Sequence, residues 1–156
     1  MAAYRFLTTW VLDAALDDVW EAVYHPERWP EWWHGVRSVR QLRGPDDGGV
    51  GCVYDQEWRS RLPYPVRFRS LTTAVERPHL IAATVEGELA GTGRWRFFAG
   101  SDTAVTYEWD VRATRAWMRA LSPVARPVFA ANHDWVMRRG GEGLARLLGA
   151  KLLLAD

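Results

Sequence analysis

Residues 116–154 read AWMRALSPVARPVFAANHDWVMRRGGEGLARLLGAKLLL. Placed at about 100° per residue, Phe129, His133, Val136, Met137, Gly140, Leu144 and Leu147 share one face, with Asp134, Arg138, Glu142 and Ala145 roughly opposite. The pattern predicts a long amphipathic helix with one buried edge. Ser122 is suited to the N-cap and Pro123 to the first helical position, so the helix is expected to start near Pro123, after a shorter turn at Trp117 to Leu121. Two features of the buried edge are unusual. His133 stands mid-stripe with Asn132 on its flank, and Gly140 and Gly143 leave the same edge without side chains. A helix seated on a solid core rarely carries an imidazole at its centre and bare backbone beyond it. The expectation is a helix that covers a cavity.

The 156 residues suit one domain spanning the chain, 1–156, large enough to bury about two-thirds of its unfolded surface. Basic and acidic residues nearly cancel at a net charge of +1, which argues against nucleic acid or an anionic membrane as partner. Cys52 is the one cysteine, so an internal disulfide framework and a cysteine-based zinc site are excluded, and the residue reads as a small buried apolar side chain. The opening MAAYRFLTT lacks a basic leader with an apolar run, and no stretch approaches the ~20 apolar residues of a membrane span. A cytoplasmic protein without integral membrane association is expected. Lys151 is the one lysine among 20 basic residues, a bias that points to a GC-rich bacterial genome. Ten tryptophans supply large rings with one N–H each, suited to pocket walls as well as cores.

Along the chain, Tyr4 to Leu12 alternates as a strand. Asp17 and Asp18 open a helix that carries Val19, Trp20 and Val23 inward and ends at Pro26. HPERWPEWWHGV, residues 25–36, predicts a second short helix between prolines that closes at Gly35 as a lid or plug. Strand then follows strand: Val36 to Leu42, Cys52 to Leu62, Tyr64 to Val75 with a bulge after Phe68, Leu80 to Glu88, Thr92 to Phe98 and Val105 to Arg112. On the second of these, Cys52, Tyr54, Gln56, Trp58 and Ser60 share one face. Short connections imply an antiparallel sheet with one wet face and one covered face.

This order, with DDVWEAVYHPERWPEWW (17–33), GVG (49–51), GELAGTGRW (87–95) and NHDWVM (132–137), resembles the SRPBCC superfamily, and within it the polyketide cyclase/dehydrase-like branch related to START lipid-transfer domains. The resemblance covers essentially the whole chain. It implies an α+β helix-grip fold, in which a curved seven-stranded antiparallel sheet wraps the long C-terminal helix, two short helices follow the first strand, and an apolar cavity is enclosed. It does not imply one reaction, since members include lipid carriers, ligand-binding regulators and aromatases or cyclases.

The residues themselves narrow the chemistry. Neither GxSxG nor a Cys poised with His is present, and His25, His34, His79 and His133 are scattered without an HExxH or CxxC frame, so no covalent centre, metal or cofactor is expected. Glu86 and Glu88 share strand parity on the wet face, opposite Ile81, Ala83 and Val85, and GPDDGGVG (44–51) lacks the Lys-Ser/Thr ending of a phosphate loop. What remains inside is a short polar set, Tyr54, Gln56, Ser60, Tyr64, Tyr107, Asn132 and His133, among Trp33, Trp58, Phe68, Trp95, Trp109, Phe129 and Val136. Apolar walls with a few polar groups suit a small-molecule pocket. Three roles stand open for His133: a core imidazole that orients the helix, a donor to a ligand carbonyl, or a general acid or base. Asp134 lies about 100° away around the helix and is not expected to orient it. Two functions follow. The chain is a monomer or weak homodimer that carries, senses or sequesters a lipid-like or polycyclic aromatic molecule, or it is an aromatase, cyclase or dehydratase in which His133, Asn132 and tyrosines move protons.

Overall fold

In the computed structural model, which describes residues 3–116 and 122–156, the opening alternation becomes β1 (Ala3–Leu12), whose Tyr4, Thr8, Trp10 and Leu12 are buried. Helix α1 (Leu16–Val23) follows, with Asp17 and Asp18 at its positive end and Val19, Trp20 and Val23 inside. Between the prolines a 3-10 turn (Pro26–Arg28) runs into the one-turn helix α2 (Trp29–Trp32). Six strands come next: β2 (Val36–Arg43), β3 (Val53–Trp58), β4 (Val66–Glu76), β5 (Leu80–Gly87), β6 (Leu89–Ala99) and β7 (Thr103–Ala113). The long helix α3 spans Ser122–Leu148. The turn expected at Trp117 to Leu121 lies outside the described residues. These strands pair antiparallel, β2 to β7 side by side in chain order and β1 beside β7, and the architecture is the α+β helix-grip fold.

The sheet has eight strands where seven were expected. No strand was expected after the long helix, but Leu152–Ala155 forms β8, which pairs with β1 at the edge of the sheet. The cause is local. Gly149 adopts φ +63°, its N–H reaches the Arg146 carbonyl, and the Ala150 N–H reaches Ala145. Those two bonds satisfy the last helical carbonyls and turn the chain out of the helix, an exit that favours glycine. The bulge in β4 also sits later than expected, between Thr72 and Ala74.

The glycines of α3 have a different use from the one anticipated. A Cβ at Gly140 would strike the Trp33 ring, one at Gly143 the Trp32 carbonyl oxygen, and one at Gly141 would come within 3.1 Å of Trp10. They admit tryptophans to the helix surface; they do not face a void. Trp10 Nε1 donates to the Met137 carbonyl at 3.0 Å, and Trp33 Nε1 to the Val136 carbonyl at 2.9 Å. Indole N–H groups thereby bond to the second lone pair of helical carbonyls, so the rings are buried without an unmet donor. The buried stripe turns accordingly: Ala145 is buried and Leu147 is 52% exposed, the reverse of the helical-wheel assignment.

Candidate functional site

The hollow lies further toward the helix start. Between α3 and the inner face of the sheet is a cavity of about 380 Å³. Period-two alternation brings Tyr54, Gln56 and Trp58 of β3 onto its wall, with Cys52 and Ser60 at the strand's ends. Phe68 and Ser70 of β4, Trp95 of β6, and Tyr107 and Trp109 of β7 continue it, and α3 closes it with Phe129, Asn132, His133, Val136 and Met137.

Rings run across the sheet side as a connected band. Tyr107 stacks on Trp95 with centroids 4.1 Å apart and 29° between planes, Trp109 follows at 5.7 Å, and Phe68 and Trp58 extend the series. Gly93 makes room for it. A Cβ there would sit 2.7 Å from Tyr107 Oη and 3.2 Å from the Trp109 ring, which is why GTGRW needs its second glycine. Burial pushes the Tyr107 phenol far above its usual range, so it stays a protonated donor; burial, with the Cys52 thiol beside it, does the same for Tyr54.

His133 is the polar feature of the helix side. Its ring stacks on Phe6 at 4.1 Å and 14°, and its side chain is 11% exposed. Both ring nitrogens are buried without a hydrogen-bond partner. Desolvation lowers its pKa from 6.5 to about 4, opposed by Asp134, so the imidazole is neutral at pH 7. Asp134 approaches more closely than the helical angle suggested, with Oδ1 3.8 Å from Nδ1, but that is beyond hydrogen-bond reach and the carboxylate is 82% exposed. Asn132 is held differently: its Oδ1 accepts the Arg61 backbone N–H at 3.1 Å, tying α3 to the β3–β4 connection.

Two expected wall residues lie elsewhere. Trp33 is fully enclosed in the core, drawn there by Gly140 and the Val136 carbonyl, and Tyr64 packs beside Tyr4, Val111 and Ala113 instead of lining the hollow. The structure adds residues not anticipated. Tyr4 and Phe6 line the cavity, as the parity of β1 allows. Ser70 does so because β4 alternates regularly up to Thr72, whereas a bulge after Phe68 would have sent it outward. Tyr24 at the end of α1 and His25 and Glu27 at the turn after it line the cavity as well, and of Trp29, Trp32 and Trp33, any of which the sequence left open for the pocket mouth, Trp29 is the one that does. Among the described residues, no three His, Cys, Asp or Glu side chains gather as a metal site requires.

A family model described as polyketide cyclase / dehydrase and lipid transport matches residues 5–149. The chain belongs to this family. Solved structures with the family's fold include the di-domain ARO/CYC BexL from the BE-7585A biosynthetic pathway, at 22% identity and TM-score 0.77 over 96% of this chain and 51% of that one. The Zhui aromatase/cyclase from Streptomyces sp. R1128 matches at 14% identity and TM-score 0.68, over 92% of this chain and 94% of its own. A START superfamily protein from Mycobacterium smegmatis matches at 12% identity and TM-score 0.71, over 96% and 98%. The chain spans about half the length of the di-domain proteins. No curated protein sequence matches. Among the described residues of this family member, no helix is long and apolar enough to cross a membrane.

Proposed function

We propose that the chain binds an apolar small molecule, lipid-like or polycyclic aromatic, in the cavity between sheet and α3, as a carrier, sensor or sequestering protein. The observation that carries the reading is the hollow itself: about 380 Å³ walled by the rings of Trp58, Phe68, Trp95, Tyr107 and Trp109, with a few polar side chains, Tyr54, Gln56, Asn132 and His133, set among them. The candidate contacts are Tyr54, Gln56, Trp58, Phe68, Trp95, Tyr107, Trp109, Phe129, Asn132, His133 and Val136. Native mass spectrometry of the protein purified from its own host tests this. A stoichiometric organic mass is expected, and a panel of lipids, quinones and aromatics that leaves the melting temperature unmoved would count against it.

The family description also names cyclases, and His133 with its cavity keeps a second reading in view: an aromatase, cyclase or dehydratase without covalent or metal chemistry. Magnitude weighs against His133 as its base. With a pKa of about 4, protonating it at pH 7 costs about 4 kcal/mol, and effective general bases sit near the working pH. A His133→Ala variant with unchanged turnover on a polyketide substrate would remove the catalytic role and leave confinement by the cavity.

A further inference from the structure

The cavity's polar groups have fixed directions. Trp58 Nε1 is a donor only and points at Gln56 Oε1 at 2.9 Å, which settles the orientation of the Gln56 amide. Gln56 Nε2 therefore faces Ser70 and donates to its Oγ, also at 2.9 Å. Having accepted that bond, Ser70 retains its own hydroxyl proton to give. On the helix side, Asn132 Oδ1 is held by the donor-only Arg61 N–H, so its amide N–H groups are what it offers. Sheet and helix walls both present donors.

Charge points the same way. Among the described residues, neither lysine nor arginine lines the cavity, and Glu27 is the carboxylate on its wall. The arginines near β3 and β4 lie on the outer face, where Arg69 and Arg40 pair with Asp55, and Arg37 and Arg67 with Glu57. A ligand carboxylate would lose its water without gaining a cation. A hydrocarbon would leave the donors empty.

We propose that the cavity selects uncharged molecules bearing hydrogen-bond acceptors, ketone or quinone carbonyls above all, over carboxylates and plain hydrocarbons of the same shape, with Gln56 and Ser70 setting the preference. This rests on the cavity being the ligand site. The test is calorimetric titration at pH 7.5 with three matched probes: 9,10-anthraquinone, anthracene and anthraquinone-2-carboxylate. Anthraquinone is expected to bind at least fivefold tighter than anthracene and at least tenfold tighter than the carboxylate. In Ser70→Ala, anthraquinone affinity should fall about fivefold while anthracene affinity stays constant. A carboxylate that binds as well as the quinone, anthracene equal to anthraquinone, or equal weakening of all probes in Ser70→Ala would overturn the selectivity while leaving the cavity as the site. Absence of binding by all three would overturn both. The comparison of probes on the unaltered protein decides the question even if the variant folds poorly.

Discussion

His133 enters the folded state as the neutral imidazole. Burial lowers its pKa to about 4 from 6.5 in the unfolded chain, so between those values the unfolded state binds a proton that the folded state refuses. Stability is therefore full above about pH 6.5 and declines as the pH falls toward 4, by up to about 3 kcal/mol. Other groups lose stability on acidification too. Glu21 and Asp55, held low by hydrogen bonds from Arg77 and Arg69, contribute above their unfolded values and lose that contribution as they protonate. The difference between the wild type and His133→Phe isolates the imidazole, since a phenyl ring can keep the stack on Phe6. Urea denaturation from pH 7.5 to 4.5 should show a steeper decline for the wild type. Parallel curves would mean that His133 is solvated in solution.

At the scale of elements, the seat of α3 is set by backbone approach. Gly143 faces the Trp32 carbonyl oxygen, an atom of main chain that cannot swing aside. Gly143→Ala should destabilise the protein by about 3 kcal/mol or more, as overpacking does, even though alanine is the better helix former by about 1 kcal/mol. A midpoint shift below the equivalent of 1 kcal/mol in urea would show that helix and α2 can part at little cost. The same contact marks where legibility ended. Strand parity was readable because a period of two leaves one choice per strand: Tyr54, Gln56 and Trp58 face inward together, as do Ile81, Ala83 and Val85. The glycines of α3 could not be assigned from periodicity, which registers a missing side chain but not the ring that fills its place. Trp33 was misplaced for the complementary reason, since the turn after α2 has no period and tertiary packing alone directs its indole to the Val136 carbonyl. β8 was missed although its signal was present: Gly149 is a helix-exit residue, and the leucines after it simply continued an apolar pattern.

For the whole molecule, the hollow is a standing cost to stability. A cavity of about 380 Å³ denies its wall the close contacts that fill protein interiors elsewhere, and unbroken packing would be the more stable arrangement. Filling part of it should therefore trade binding for stability. Ala83, on β5, lines the cavity beside its register partner Gly93, near the Tyr107 and Trp109 rings. Ala83→Leu adds apolar carbon at about 0.8 kcal/mol per methylene, reduced by repacking against the neighbouring rings, so a gain of about 1 kcal/mol is expected for the unliganded protein. Affinity for an apolar probe such as anthraquinone should fall at least tenfold in the same variant, because the added side chain occupies space the ligand needs. The two measurements, urea midpoint without probe and titration with it, should move in opposite directions. Were the variant less stable and its affinity unchanged, the space beside Ala83 would be closed in solution, and the ligand site would have to lie nearer Phe129 and His133.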